Sequence, residues 1–304
     1  MRFKMLSILS LTALLTLAGA GRAETPASKK AEKTPRVLTL GAVASGPSSV
    51  TVWRDMRYYL GKNGLPIEFV LYSTYDGLVK ALKDGQVDIA WNTPMAHAQF
   101  HRLAGDSQAL VMRDVDRDFR SVLLVRKDAG IADLSGLAGQ TVVFGSCDSA
   151  ECTVLPAYFL KKEGVRLDRI KVLSLHKEVD RMGVPCHSEQ HVLKALREKR
   201  GGAGIISERL WKHLQKDKPE EAAAFQAIWT SPAFSHCMLT ARKDFDKDLG
   251  ARFTRLMLAM DAKDSVCAEI LRLEGCQKWV GGSQEGYDHL LKALRDEDAV
   301  SLGK

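Results

Sequence analysis

The sequence predicts an α/β protein of two lobes, each a mostly parallel sheet flanked by helices, with a two-strand hinge between them. Three observations lead to this fold class. Short apolar runs alternate with helix-like stretches at about 36–122, and the alternation is repeated at about 123–235. Two extended apolar segments, at about 120–126 and 236–241, connect these blocks. We expect the helical tail at 242–304 to join the first block as lobe one, and the second block to form lobe two.

The first block contains three predicted strands, each followed by a helix. The strands are Arg36 to Ala42, Ile67 to Tyr72 and Val87 to Trp91, and the helices are Val52 to Leu60, a stretch from Tyr75 and a stretch from Pro94. In the second helix, apolar side chains recur at the spacing of one helical face. In the third helix, proline occupies the first turn, where it is tolerated. This alternation is typical of a parallel sheet.

The second block repeats the pattern, and a helical tail follows it. The predicted strands are 120–126, 141–144, 170–175, 203–206, 225–229 and 236–242, and the predicted helices are 154–162, 188–199 and 208–215. The tail carries two apolar helical stripes, from Phe253 to Met260 and from Leu290 to Leu294. Ligand sites of such sheets lie outside the carboxyl ends of strands, so we expect a small solute to bind in a cleft between the lobes.

The N-terminus indicates export. Arg2 and Lys4 precede an apolar run that ends in small residues, the pattern of a secretory signal peptide over 1–23. The composition of 24–35 is typical of a disordered leader. We expect the mature chain to be periplasmic or otherwise exported, and soluble. Loss of the signal peptide lowers the formal charge from +7 to about +4, which suits an anionic solute and is too weak to indicate nucleic acid.

The stretch GSCDSAECTVLP, at 145–156, contains the main candidate binding residues. Pro156 must lie in the first turn of a helix, so this helix should begin near Cys152 or Thr153. A helix N-terminus offers unpaired backbone N–H groups and partial positive charge, which suit a phosphate-like or carboxylate group. The candidates around this point are Ser146, Asp148, Ser149 and Thr153. Asp148 either meets a protonated oxygen or an amine of the ligand, or only braces the loop.

Lobe one offers candidates that could face this turn from the opposite wall. They are Ser45, Ser48, Ser49, Tyr75, Asn92 and Thr93. The three serines precede the first helix and either bind the ligand or only cap that helix. The tyrosine either points its hydroxyl into the cleft or is a core aromatic with a solvated tip. The last two residues directly follow the third strand, which is the position expected of ligand-binding residues.

Six cysteines in an exported chain allow disulfides, and three pairings are conceivable: 147–152, 186–237 and 267–276. The last of these requires the chain to fold back after Gly275, because a continuous helix would hold the two cysteines too far apart. A nucleophilic Cys147 would need a neighbouring base and a lowered thiol pKa, and the sequence carries no cysteine-enzyme signature. We therefore expect neither catalysis nor a cofactor.

Metal binding is the main alternative function. Several histidines and cysteines recur at spacings that bring them close on a helix or strand, namely His97, His101, Cys186, His187, His191, His236 and Cys237. Imidazole and thiolate ligands would suit zinc or copper, although the spacings match no closed zinc motif. His187 either belongs to this set or donates a hydrogen bond to an anion from the loop before its helix.

Three stretches carry a resemblance to a known family. YDGLVKALKDGQVDIAWNTPMAHA at 75–98 resembles the signature of phosphonate/phosphate-type solute-binding proteins of ABC importers. The turn at 145–156 is similar to the serine loop of their second lobe, and AIWTSPAFSHCMLTAR at 227–242 to their returning strand. The resemblance covers about 36–295. It implies a type-II periplasmic-binding-protein-like fold that closes around a small phosphate-, phosphite- or phosphonate-like oxyanion, or a zwitterion.

The resemblance also implies partners. We expect a monomer that delivers its ligand to an ABC permease in the membrane. Two alternatives keep the same fold: a metal or metal-chelate binding protein, and a ligand-binding module that feeds a sensor. The stretch GVPCHSE, at 183–189, departs from the glycine-rich form that the family has in this region.

Overall fold

The computed structural model describes residues 37–44, 46–175 and 188–296. The predicted signal peptide and leader, Ser45, Cys186 and His187 lie outside these ranges. The strands are β1 Leu38–Val43, β2 Ile67–Tyr72, β3 Ile89–Asn92, β4 Ser107–Arg113, β5 Ser121–Arg126, β6 Thr141–Phe144, β7 Lys171–Ser174, β8 Ala203–Ser207, β9 Phe225–Thr230, β10 Met238–Arg242 and β11 Trp279–Gly281. The helices are α1 Ser48–Lys62, α2 Tyr75–Lys83, α3 Pro94–Ala104, α4 Leu155–Lys162, α5 Ser188–Arg197, α6 Glu208–Asp217, α7 Pro219–Ala222, α8 Lys247–Leu258, α9 Ser265–Glu274 and α10 Tyr287–Ala293.

The strands form two sheets, which confirms the predicted two-lobed α/β fold class. The first sheet has the order β11-β4-β10-β3-β1-β2, and the second has the order β7-β6-β8-β5-β9. Strands β1, β2 and β3 run parallel, and so do β6, β7 and β8. Strand β10 is antiparallel to both of its neighbours, as is β5, and β11 is antiparallel to β4. Both sheets are therefore mixed: most strands of each run in one direction, as predicted, and the others run opposite to them.

The antiparallel strands follow from the way the chain crosses between the sheets. Strand β4 ends at the carboxyl edge of the first sheet, and the crossing 114–120 leads into the carboxyl edge of the second. A strand that enters a sheet at this edge must run opposite to the parallel strands, which accounts for β5. The crossing 231–237 leads back from β9 and gives β10 the same opposite direction. The two carboxyl edges are thus connected directly by both crossings.

The two crossings are held together by backbone hydrogen bonds. The N–H of Phe119 donates to the carbonyl of Phe234, and the reverse bond is also formed, both at 2.9 Å. The predicted hinge strands, 120–126 and 236–241, coincide mostly with β5 and β10, and each of these strands is an integral member of a sheet. The crossings 114–120 and 231–237 precede these two strands, and a hinge at the strands themselves stays a prediction.

Apolar clusters join the helices to the sheets. Helices α1, α8 and α9 contribute to one cluster with the first sheet, and α2 and α3 contribute to another. Helices α5 and α6 share a cluster with the second sheet. Helix α10 contacts both α3 and α4 and is buried in a cluster that extends through both lobes. The last helix of the tail therefore contacts elements of both lobes, and the assignment of the tail to lobe one stays a prediction.

Two strands, β4 and β11, were not predicted from the sequence. Strand β4 combines polar residues in its first half with a terminal arginine, and β11 has three residues. The chain leaves β11 through Gly282, where a Cβ atom would lie 2.6 Å from the backbone carbonyl carbon of Ala109. Only glycine permits this close approach to β4. Among the described residues, none of the helices combines the length and the apolar character that a bilayer span requires.

Candidate functional site

Buried serines line the carboxyl edge of the second sheet. Ser121 begins β5, Ser146 follows β6, Ser207 ends β8 and Ser231 follows β9, and each is at most 3% exposed. The N–H of Ser121 donates to Ser231 Oγ at 2.9 Å, and Ser207 Oγ accepts from the N–H of Leu210 at 3.0 Å. Two of these side chains therefore hold the edge and the start of α6 in place.

The segment between β6 and α4 contains a capped π-helical turn. Ser149 Oγ accepts a hydrogen bond from the Cys152 N–H at 3.0 Å, and the π-helical turn Ala150–Val154 leads into α4. Thr153 is 1% exposed, and its Oγ1 has no hydrogen-bond partner among the described residues. Asp148 is exposed. Of the predicted binding residues in this turn, Ser149 forms a capping bond, whereas Thr153 has a buried hydroxyl available.

The carboxyl edge of the first sheet contains Asn92 and Thr93. Asn92 is fully buried and donates from Nδ2 to Thr240 Oγ1 at 2.8 Å, while its Oδ1 has no hydrogen-bond partner among the described residues. Thr93 Oγ1 accepts from the Ala96 N–H at 3.3 Å and caps α3. Asn92 therefore offers a buried acceptor at the end of β3, and Thr93 stabilises the helix that follows.

The remaining predicted residues of lobe one lie at the starts of helices. Ser48 is exposed and Ser49 is buried, and both belong to the first turn of α1. Tyr75 begins α2 and is half-buried against the cluster formed with α3. A ligand role for these side chains stays a prediction, as it does for Ser45 and His187.

His236 brings the two carboxyl edges together. It lies on the crossing that leads into β10, two residues before Met238, which pairs with Asn92 in the first sheet. Its Nε2 lies 3.5 Å from Oε2 of Glu151, a residue of the π-helical turn in lobe two. Its ring stacks on Phe119 of the other crossing, with ring centroids 4.3 Å apart. The imidazole is thus positioned between the end of β3 and the turn before α4.

A chain of ion pairs extends from this imidazole into lobe one. His236 Nδ1 lies 3.1 Å from Asp116 Oδ1, and Arg113 donates from Nε and Nη2 to the two carboxylate oxygens of Asp116 at 2.5 and 2.9 Å. Arg113 also donates from Nη1 to the carbonyl of Glu274 at 2.9 Å. The Asp116 side chain is 1% exposed. Such a charge can be buried because both of its oxygens have cationic partners.

The charges in this network shift one another's pKa values. Burial alone would raise the pKa of Asp116, but Arg113 and His236 outweigh it and bring that pKa to about 2. Burial alone would lower the pKa of His236, but the Cys237 sulfur, Asp116 and Glu151 raise it well above its ordinary value. The pKa of Glu151 is lowered because His236 outweighs the effect of burial. The network therefore contains an imidazolium between two carboxylates.

Glu189, near the start of α5, extends the acidic side of the site. Its Oε2 accepts from the Ser207 N–H at 3.1 Å, and burial raises the pKa of its carboxyl group. Asp116 and Glu151, the charged partners of His236, are not among the binding residues predicted from the sequence. Arg113 and Asp116 fall in a charged run that shows no sign of burial, whereas Glu151 could have been recognised: acidic side chains are favoured in a first helical turn.

Of the predicted metal ligands, the structure brings two together. Asp116, His236 and Cys237 each place one potential ligand atom within 4.8 Å of the others. Both oxygens of the carboxylate already accept hydrogen bonds from Arg113, so a metal ion would have to displace a guanidinium. His101 and His191 are not part of this cluster. The donor set therefore fits a metal poorly.

His97 occupies a different environment. It is 4% exposed on α3, and its ring packs edge-on against Tyr287 with centroids 4.5 Å apart. Burial, with a smaller effect from His101, lowers the pKa of His97 to about 4. At neutral pH this histidine is an uncharged core residue, and it packs between α3 and α10.

Among the described cysteines, neither the 147–152 nor the 267–276 disulfide is formed, because Cys152, Cys237, Cys267 and Cys276 are free thiols; Cys186 lies outside the described residues. Burial, followed by the charges of Glu151 and Glu189, raises the pKa of Cys152 well above its ordinary value. This cysteine is therefore a protonated thiol, which is a poor nucleophile.

A second cluster of basic side chains lines a groove of about 370 Å³ between the crossing 114–120 and α6, together with the acidic Asp118 and Glu208. Its lining includes five basic residues, namely Arg117, Arg120, Arg209, Lys212 and Lys216. The three arginines donate to backbone carbonyls, and Lys212 forms an ion pair with Glu208 at 2.9 Å. The groove is more open to solvent than the surroundings of His236, so its charges are more strongly screened.

Residues 41–287 match the family model described as ABC transporter, phosphonate, periplasmic substrate-binding protein. A curated relative is the probable ABC transporter phosphite binding protein PhnD1 of Prochlorococcus marinus (strain MIT 9301). It is 21% identical over 272 residues, which cover 84% of this chain and 88% of the relative.

Solved structures share the fold at low sequence identity. The Prochlorococcus marinus PhnD1 structure, in complex with methylphosphonate, has a TM-score of 0.61 at 20% identity and covers 86% of this chain and 98% of its own. A binding protein component of an ABC phosphonate transporter from Pseudomonas aeruginosa has a TM-score of 0.57 at 18% identity, with 86% and 85% covered. A Xanthomonas citri protein bound to ATP has a TM-score of 0.64 at 18% identity, with 88% and 98% covered.

Proposed function

Because this chain belongs to the family of periplasmic substrate-binding proteins of phosphonate ABC transporters, we propose that it captures a small phosphonate-, phosphite- or phosphate-like oxyanion between its lobes. In this proposal the chain is exported, encloses the anion by hinge motion and hands it to a membrane permease. No covalent bond is made or broken. The protonated state of Cys152 is consistent with binding without catalysis.

The observation that carries the proposal is a set of buried polar groups where the two carboxyl edges meet. Thr153 Oγ1 can donate to an anion, and Asn92 Oδ1 can accept from a protonated oxygen of the same ligand; both lack partners among the described residues. The imidazolium of His236 lies between the elements that carry them. Buried polar groups without partners are costly, so a ligand that satisfies them gains that free energy.

Helix termini add to the attraction for an anion. Helix α3 begins at Pro94, directly after the capping residue Thr93, and the π-helical turn before α4 begins after Ser149. Each N-terminus carries partial positive charge. The methylphosphonate complex of the Prochlorococcus relative supports the same class of ligand for this chain.

Replacing Thr153 with valine tests this assignment. The substitution removes a buried hydroxyl and keeps the shape of the side chain, so the fold should be unaffected. We expect methylphosphonate binding to weaken by about 1.5–3 kcal/mol, roughly tenfold to 150-fold in Kd, because a hydrogen bond to a charged group is lost. Isothermal titration calorimetry of the purified mature protein with methylphosphonate, phosphite and phosphate provides the measurement.

The matched control is Thr230→Val, the same chemical change at an exposed position at the end of β9. This variant should bind as the unmodified protein does. If Thr153→Val binds methylphosphonate with unchanged affinity, Thr153 is not a ligand-binding residue. If none of the three anions binds the unmodified protein, the proposed ligand class is wrong.

A further inference from the structure

Glu151 occupies the place in lobe two where the anion is expected. It lies in the π-helical turn that follows Ser149, close to the positive end of α4. Its backbone carbonyl accepts a hydrogen bond from Ser121 Oγ at 2.6 Å, which fixes its position relative to β5. Its side chain is 21% exposed and that of His236 is 15% exposed. The turn that carries Glu151 is therefore fixed to β5, and the side chain is mostly buried beside His236.

The two nitrogens of His236 have different partners. Nδ1 is bound to Asp116, whose carboxylate is itself fixed by two hydrogen bonds from Arg113. Nε2 faces the carboxylate of Glu151 at 3.5 Å and has no hydrogen bond of good geometry among the described residues. Nε2 is therefore the ring nitrogen that is available to donate a hydrogen bond to an incoming anion. An anion oxygen at Nε2 would take the place of the Glu151 carboxylate.

We propose that Glu151 is an internal competitor for the oxyanion: its carboxylate occupies His236 Nε2 in the absence of ligand, and binding of the ligand displaces it. This inference rests on the proposed function. It makes Glu151 a specificity-determining residue, because its charge opposes anions in general and opposes a doubly charged anion most. A ligand must supply better contacts than Glu151 does.

The other charges around the imidazole do not replace Glu151 in this role. Asp116 holds Nδ1 and is neutralised by Arg113. Glu189 is engaged by the N–H of Ser207, and the Cys237 sulfur lies next to His236 within the cluster of possible ligand atoms. Glu151 is the carboxylate that the structure places at Nε2, so its removal should have an effect that removal of other acids does not.

The experiment compares Glu151→Gln with the unmodified protein. Glutamine has nearly the same shape and no charge, so the turn should fold as before. We expect Glu151→Gln to bind methylphosphonate at least tenfold more tightly in isothermal titration calorimetry. The control is Glu198→Gln, which makes the same change in lobe two at an exposed residue that pairs with Lys194. This control should change Kd less than twofold.

The outcomes separate the inference from the proposed function. If the unmodified protein binds methylphosphonate and Glu151→Gln binds it equally or more weakly, the competitor role is wrong while the proposed function stands. If neither protein binds methylphosphonate, phosphite or phosphate, both are wrong. A second readout needs no ligand: an NMR titration should show that the pKa of His236 falls in Glu151→Gln, and an unchanged pKa would exclude the His236–Glu151 contact.

Discussion

Replacement of Asp116 with alanine is expected to lower the free energy of unfolding by about 3–5 kcal/mol. Asp116 is buried, and its two oxygens accept from Arg113 while Oδ1 also contacts His236. The substitution leaves a buried guanidinium and a buried imidazolium without their shared counter-charge. Removal of one member of a buried ion pair is strongly destabilising for this reason. Urea unfolding followed by circular dichroism gives the measurement.

The matched control is Asp128→Ala. Asp128 likewise accepts hydrogen bonds from an arginine and a second cation, Arg126 and Lys199, but its side chain is 52% exposed. The two aspartates thus have similar cationic partners and differ mainly in burial. We expect Asp128→Ala to lower the free energy of unfolding far less than Asp116→Ala does, because solvent screens the charges around an exposed side chain. Equal losses in the two variants would contradict the description of the Asp116 network as a buried structural unit.

Tyr287→Ala is expected to cost a similar amount, about 3–5 kcal/mol, because it removes a buried aromatic ring and leaves a cavity. Tyr287 is 6% exposed at the start of α10, and its ring contacts that of His97. Its hydroxyl donates to the carbonyl of His236 at 3.0 Å, so the residue connects the tail to the crossing. The loss should appear as a lower midpoint in the same urea titration.

Two further variants help to interpret this loss of stability: one removes only the hydroxyl group, and the other is a control at an exposed tyrosine. Tyr287→Phe keeps the ring and removes the hydrogen bond, so it should cost about 0.5–1.5 kcal/mol. Tyr58→Ala truncates a tyrosine that is 58% exposed on α1 and should change stability by less than about 0.5 kcal/mol. If Tyr287→Ala were no more harmful than Tyr58→Ala, α10 would not connect the two lobes in solution.

The fold class could be predicted because each strand or helix is indicated by the apolar pattern of a short stretch of sequence. The segments 67–72 and 141–144 were predicted with the bounds that the structure has. The direction of a strand relative to its neighbours is not determined by its own residues. A run such as 121–126 has the same composition whether its neighbours run parallel or antiparallel to it. The antiparallel directions of β5 and β10 follow from the edge at which the crossing chain enters each sheet, which hydrophobic periodicity does not encode.

The sequence suggests positions for the candidate site but not its charged residues, and a ligand role at those positions stays a prediction. Position at a strand end identified Asn92, and the proline rule placed a helix start near Thr153. The same rules could not separate capping from ligand binding, and the structure gives Thr93 and Ser149 capping bonds. The network of Arg113, Asp116, Glu151 and His236 joins distant parts of the chain, and no short motif contains it. Only the arrangement of the two crossings brings these charges together.

The position of a bound anion is the most direct test of the central claim, that the ligand binds where the two carboxyl edges meet. A crystal structure of the mature protein with methylphosphonate gives this position. We expect phosphonate oxygens within hydrogen-bond distance of Thr153 Oγ1 and His236 Nε2, with the Glu151 carboxylate moved away from the imidazole. An anion found instead in the basic groove beside α6, with the His236–Glu151 contact intact, would contradict the claim.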